Sequence, residues 1–151
     1  MAKSMILVLL ACLVAAAVSS KVDFKDCSGG KGEGEIVELD ISPCPTQPCT
    51  LHKGTTVSVN ITFVPHVTLD SGKAIVHGVI AGIPVPFPLP NADVCKNSGL
   101  KCPLEPGTKY VYQSSLEVKT MYPSLKLVVR WEIQDNKNKD VLCFEIPTQI
   151  A

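Results

Sequence analysis

The sequence carries no surplus of either charge: Lys plus Arg number 14, Asp plus Glu number 14, and the formal net charge is zero. That balance argues against nucleic acid as a partner and against recognition driven mainly by charge. Aromatic residues are few, one Trp, three Tyr and four Phe, so any interior must be largely aliphatic. Past the first twenty residues no apolar run approaches the roughly 20 residues that span a bilayer. No window there carries apolar residues at helical spacing either. Catalytic signatures are missing as well. The three histidines, His52, His66 and His77, fall in different segments and read as surface or packing residues. There is no GxSxG elbow, HExxH pair or glycine-rich phosphate loop. The reading is therefore of a non-enzyme without a cofactor. No repeat, low-complexity tail or domain boundary interrupts the 151 residues, a length suited to one domain with a real core.

The first segment is the exception in hydropathy. Lys3 precedes an apolar run from Met5 to Val18, and Ala17, Ser19 and Ser20 are small, the pattern of a cleavable secretory signal over residues 1–19. Cleavage after Ser20 fits almost as well. A membrane anchor is the competing reading, but the run is short and lacks flanking charge on its far side.

Seven cysteines become six once Cys12 leaves with the signal, and an even number in a secretory chain suggests three disulfides. Cys44 and Cys49 bracket a Pro-Thr-Gln-Pro turn, and Cys95 and Cys102 bracket Lys-Asn-Ser-Gly-Leu-Lys. If those pairs close small loops, Cys27 and Cys143 remain. Zinc is a poor alternative, because neither pair has CxxC spacing and no HxxxH pair accompanies them.

Alternation of period two dominates the mature chain. Val37, Leu39 and Ile41 alternate with polar residues, as do Val57, Val59, Ile61 and Phe63, then Tyr110, Tyr112, Ser114, Leu116 and Val118, and then Leu125, Leu127, Val129, Trp131 and Ile133. Each predicts a strand with one buried face. A polar turn at 135–140 leads to a last strand with Leu142, Phe144 and Ile146. The run 74–81 fits a buried strand or a short helix, and its β-branched residues and flanking glycines favour the strand. About seven short strands separated by turns predict an antiparallel β-sandwich.

Two segments depart from a plain sandwich. From Ile83 to Pro90 the chain places proline at 84, 86, 88 and 90, with Ile83, Val85, Phe87 and Leu89 between. Missing amide donors exclude a helix or a central strand, leaving polyproline II or a sheet edge. The second segment runs from Val118 to Pro123, with Tyr122 ahead of the proline. Two apolar segments unable to complete a ladder would leave the sheets splayed and open a pocket into the core. Asn60-Ile61-Thr62 is an acceptor triplet for N-glycosylation on an outward strand face.

Five stretches, Cys44-Pro-Thr-Gln-Pro-Cys49, Lys73-Ala-Ile-Val-His-Gly78, Val85-Pro-Phe-Pro88, Tyr122-Pro-Ser-Leu-Lys-Leu-Val-Val-Arg-Trp131 and Cys143-Phe-Glu-Ile-Pro147, together resemble the family of soluble Niemann-Pick type C cholesterol carriers, also called epididymal secretory proteins. The resemblance covers essentially the whole mature chain. It implies an all-β fold over residues 20–151, the ML lipid-recognition domain, an immunoglobulin-like antiparallel sandwich of about seven strands with three disulfides. Trp131 lies just upstream of the last cysteine, so the Cys, Trp, Cys order of true immunoglobulin domains is absent. The resemblance also supports the disulfide pairing inferred from spacing.

What the family implies is a monomer that binds cholesterol or a related sterol between its sheets, hydrocarbon tail inward and hydroxyl at the mouth. It would deliver the sterol through transient contact with membranes, or to the membrane-bound Niemann-Pick type C cholesterol transporter. The setting would be the secretory route and the lumen of late endosomes and lysosomes. Carried onto this sequence, the sterol-binding positions are Phe87, Val118 and Tyr122, with Pro123, Leu125, Val129, Trp131, Val59, Ile41, Tyr112 and Phe144 as further lining. Surface positions for transfer are His77, Gly78, Gly82, Asp93 and Lys96, and the glycan falls on Asn60. A second family acceptor site is lost, since Asn138-Lys139-Asp140 is not a triplet. Phe144 replaces a tryptophan, and Val57 replaces an aromatic pocket residue. Two other readings remain: an adhesion sandwich with a filled core, and, for Ile83 to Pro90 alone, a proline-rich ligand of SH3-type domains in an unsuitable compartment.

Overall fold

The computed structural model describes residues 20–151; the segment read as a signal peptide lies outside them. Nine strands follow in order: β1 Lys25–Asp26, β2 Gly34–Ser42, β3 Cys49–Leu51, β4 Thr55–Pro65, β5 Lys73–Ile80, β6 Ile83–Phe87, β7 Tyr110–Val118, β8 Leu125–Gln134 and β9 Asp140–Ile150. They form two facing sheets. The wide one has the order β1-β9-β8-β5-β6, with β3 also on β9, and the narrow one is β2-β4-β7. Neighbours pair antiparallel, except β3, which runs parallel to β9. The architecture is the predicted sandwich. β1 and β3, of two and three residues, are too short to show alternation, which is why the count by pattern stops at seven.

The inner faces are those that alternation selects. On β4, Val57, Val59, Ile61 and Phe63 are buried, and across the gap so are Leu127, Val129, Trp131 and Ile133 of β8. Their packing is anchored by aromatic rings. Trp131 stacks on Phe144 with centroids 6.1 Å apart and meets Tyr112 of the narrow sheet edge-on at 6.2 Å. The run 74–81 resolves as strand β5, which lies between β8 and β6.

Alternation misplaces one residue. Val37, read as inward, is 47% exposed, because a bulge between Ile36 and Glu38 advances β2 by one residue against β4. A one-residue shift exchanges the faces of a strand, so Ile36 packs on the core instead.

The proline-alternating segment is an edge strand, but it does pair, contrary to the expectation of a broken ladder. Ile83, Val85 and Phe87 oppose Ile80, Gly78 and Val76, while Pro84 and Pro86 oppose Val79 and His77. Amides of successive residues point to opposite sides of a strand. The ladder to β5 therefore uses the amides of Ile83, Val85 and Phe87, and both prolines turn their donorless nitrogens to the open side. Period two makes proline compatible with this strand.

Three disulfides, Cys27–Cys143, Cys44–Cys49 and Cys95–Cys102, join the pairs that spacing suggested. The first spans 116 residues and ties the chain start to β9, where the Cys27 amide also donates to the Cys143 carbonyl. Loop-closure entropy assigns such a link about 4 to 5 kcal/mol. Replacing both Cys27 and Cys143 by Ser should lower unfolding free energy by that order in denaturant titration. A loss below about 1 kcal/mol would show that the link constrains little.

Candidate functional site

At one end of the sandwich a cavity of about 480 Å³ opens between the inner face of the wide sheet and the β7–β8 connection. Its walls come from strands whose alternation aims apolar groups inward: Gly78 and Ile80 of β5, Val85 and Phe87 of β6, Leu125 and Leu127 of β8, and Ile150 of β9. Met121, Tyr122 and Pro123 close it from the connection, and Lys119 is the one charged residue in the lining. Phe87 and Tyr122 meet edge-on with centroids 5.6 Å apart and rings inclined by 62°. This contact joins the edge strand to the connection across the opening. Around it stand apolar side chains with no cover: Met121 is 80% exposed, Ile83 65% and Val85 44%. Such a patch at the mouth of an apolar recess marks a binding or docking surface.

Gly78 matters to the cavity through the side chain it lacks. A Cβ there would lie 2.9 Å from Leu127 Cδ1, so a larger residue would push Leu127 into the recess.

Of the residues expected to bind a sterol, the structure brings Phe87, Tyr122, Pro123 and Leu125 together in the lining. Val118 is buried at the end of β7 beside them, next to Lys119. Ile41, Val59, Tyr112, Val129, Trp131 and Phe144 lie in the closed core, not in the lining of the open cavity. Burial pushes the Tyr112 phenol above its ordinary range, with Ser114 acting against the shift. Among the residues expected to act in transfer, Gly78 faces the recess. His77 is half-buried on the outer face of the same sheet, opposite Pro86 and Arg130. Gly82 sits in the β5–β6 turn with φ of 81°. Asp93 is elsewhere: it bridges to Lys73 at the other end of β5, about 17 Å of strand from Gly78 at roughly 3.3 Å per residue. Lys96 follows it, its amide donating to the Asp93 carbonyl. Asn60 lies on the outward face of β4, between Asp40 and Gln113.

Ile80, Met121, Leu127 and Ile150 were not singled out for the site. Leu127 was legible as inward, but which end of β8 opens depends on the tertiary arrangement. The signal at Ile150 is interrupted by Thr148, a buried polar residue whose hydroxyl donates to the Leu127 carbonyl. His52 and His66 are exposed on separate connections. Among the described residues one group has metal-ligand spacing, Glu132, Asp140 and Cys143, but the Cys143 sulfur is in a disulfide and is no thiolate ligand.

Residues 21–150 match the family model of the ML domain. The chain is 50% identical over 138 residues to NPC intracellular cholesterol transporter 2 of Bos taurus, covering 91% of each chain. It is 39% identical over 143 residues to NPC intracellular cholesterol transporter 2 homolog a of Drosophila melanogaster, covering 93% of this chain and 95% of that one. Among solved structures, a Niemann-Pick type C2 protein from the Japanese carpenter ant superposes with a TM-score of 0.80 at 30% identity, over 86% of this chain and 100% of the other. Chicken MD-1, crystallised with lipid IVa, shares the fold with a TM-score of 0.56 at 13% identity, over 86% and 95%.

The mouth and the core should separate in stability measurements. Ile83→Ser and Met121→Ser, at exposed positions, should change unfolding free energy by less than about 0.5 kcal/mol. Trp131→Ala should cost about 3 to 5 kcal/mol. A large loss from either rim substitution would mean that the rim is part of the packed core.

Proposed function

The chain belongs to the ML-domain family, and from that premise we propose that it binds cholesterol or a related sterol in a pocket that begins at this cavity and extends between its sheets, and that it carries the sterol to membranes. The observation that carries this reading is the lining itself: an apolar recess with a single charged residue, opening among exposed Ile83, Val85 and Met121. The named transporters of Bos taurus and Drosophila melanogaster add the ligand class.

Burying roughly 300 Å² of sterol surface gives about 7 kcal/mol at 25 cal/mol per Å². Binding needs few polar contacts, and shape sets specificity. A molecule longer than the open recess must extend past Leu127 toward Val129, Trp131, Tyr112, Val59, Ile41 and Phe144, which requires the sheets to part. The Phe87–Tyr122 contact is the natural place for that movement, since one ring sits on the edge strand and the other on a connection. Lys119 at the rim suits the end of the ligand that carries the hydroxyl. Release involves no covalent step: when the rim meets a bilayer or an acceptor pocket, the ligand passes between apolar surroundings without crossing water.

The finer assignments follow the same reading. Residues 1–19 act as the secretory signal and 20–151 as the carrier domain. His77 and Gly82 flank the mouth and contribute to docking, with Gly78 shaping the recess. Asp93 and Lys96, at the other end, form a separate contact face. A glycan on Asn60 would project from the narrow sheet, clear of the mouth. The protein acts as a monomer in the lumen of late endosomes and lysosomes, where it supports cholesterol egress and hands sterol to a membrane-bound transporter.

Phe87→Ala should abolish binding of a fluorescent sterol while circular dichroism and the unfolding midpoint stay near those of the parent. Val118→Phe, beside the lining, should do the same if it remains folded. Unchanged binding by folded Phe87→Ala protein would sink the pocket assignment. Lipids extracted from protein secreted by a eukaryotic host should include sterol on mass spectrometry, whereas an adhesion module would yield none.

A further inference from the structure

The end of the sandwich away from the cavity is joined through Glu33, in the segment entering β2. Its amide donates to the Asp140 carbonyl of the wide sheet at 2.9 Å, and its carbonyl accepts from the His66 amide, just past the end of β4, at 2.8 Å. The backbones are in close contact here: a Cβ on Gly32 or Gly34 would lie 3.1 Å from the Val141 carbonyl oxygen.

Two pairs of carboxyl groups lie at this end: Glu33 with Asp135 of the β8–β9 turn, and Glu132 with Asp140 on the outer face of the wide sheet. The Glu33 and Asp135 carboxyl groups act on each other's ionisation, and Glu33 Oε2 is buried without a hydrogen-bond partner. Asp135 Oδ1 already accepts the amides of Lys137 at 2.8 Å and Lys139 at 3.0 Å. In the second pair, Glu132 is buried, and an oxygen of each carboxyl lies within 4.8 Å of the other. The side-chain nitrogen of Gln134 reaches both, at 3.3 Å to Glu132 Oε2 and 3.3 Å to Asp140 Oδ1. A bulge between Ile133 and Gln134 brings Asp140 opposite Gln134, on the face that Glu132 shares.

Charged groups surround both pairs. Arg130 Nε lies 3.2 Å from Glu132 Oε1. On the same face β5 presents Lys73 and His77, opposite Gln134 and Arg130. β9 presents Glu145 opposite Arg130, and β1 presents Lys25 opposite Glu145. Asp26 is held by Ser28. Lys137 and Lys139 in the turn act on Glu33 and Asp135, and His66 meets Glu33 through its backbone.

We propose that the two carboxyl pairs make the closed end a proton-operated clasp, which tightens the junction of the sheets in acid and loosens it toward neutral pH. Burial is the main cause at Asp140, reinforced by the Glu132 carboxyl and opposed by Gln134 and Arg130; it pushes Asp140 up to about 6 from an ordinary 3.8. Burial likewise raises Glu33, helped by Asp135 and opposed by Lys139 and Lys137. At Asp135 burial works against ionisation, but the Lys139 amide, the Glu33 contact and the Lys137 amide outweigh it and lower the value. Between pH values above 6 and 3.8 the folded chain binds more protons than the unfolded one, so stability rises as pH falls through about 6. The lowered Asp135 removes stability only below its ordinary value.

Thermal unfolding of the disulfide-intact protein from pH 7.5 to 4.5 tests this. The parent midpoint should climb by on the order of 5 °C as pH falls. Asp140→Asn, which keeps shape and cannot ionise, should flatten the climb and equal or exceed the parent at pH 7.5. Glu33→Gln should flatten it in part, and Glu117→Gln, on the exposed face of β7, should leave it unchanged. A carbon-13 titration of the Asp140 carboxyl should show an inflection near 6. The clasp is overturned if Asp140→Asn keeps the full slope, if it lowers the midpoint equally at every pH, or if the Asp140 carboxyl titrates as an ordinary aspartate. The carboxyl titration decides the matter even where a variant does not fold.

Discussion

The ring cluster of Trp131, Phe144 and Tyr112 is the contact on which the rest of the molecule depends. In a chain with so few aromatics, these three are among the largest fully buried side chains and they lie together. Stacking within the wide sheet and an edge-on contact across the gap set the spacing of the layers at that point while the sheets are closed. On one side the chain closes through Glu33, Val141 and the β8–β9 turn. On the other, Gly78, Leu127 and Ile150 border a recess. The molecule thus has a packed middle, a sealed end and an open end, and the long strands β5, β8 and β9 of the wide sheet run between the two ends.

This polarity separates stability from function along single strands. β8 carries Leu125 and Leu127 at the recess, Trp131 in the middle, and Glu132 and Gln134 at the sealed end. β5 carries Gly78 and Ile80 at the recess and Lys73 at the sealed end. A side chain at one end can change with little effect at the other, because the aromatic cluster lies between. An open apolar rim at one end and packed structure at the other is the distribution expected where local stability varies within one fold.

The strands were legible because one buried face imposes period two, and because prolines placed at that same period mark an edge. The expected pairing of cysteines followed from short loops that leave one long link. What was not legible depends on contacts between residues distant in sequence. The bulge at Ile36 and Glu38 reverses Val37 without changing the pattern around it. The separation of Asp93 and Lys96 from Gly78 requires knowing which way β5 runs relative to the mouth. The carboxyl pairs bring Glu33 to Asp135 and Glu132 to Asp140 through register and burial, and neither pair shows as a motif. The resemblance supplied ligand positions in the core, but how far the recess extends in this chain depends on packing that no local pattern encodes.

The donorless outer side of β6 has a consequence for the molecule in solution. A chain with Ile83, Val85 and Met121 uncovered beside a sheet edge presents both elements from which fibrils grow, sticky apolar surface and an open backbone ladder. Pro84 and Pro86 disable the second. An incoming strand would meet carbonyls with no amides between them and rings projecting into the space its own backbone needs, so templated growth stops at the first chain. The apolar mouth can stay exposed at high concentration because the strand beside it cannot be extended.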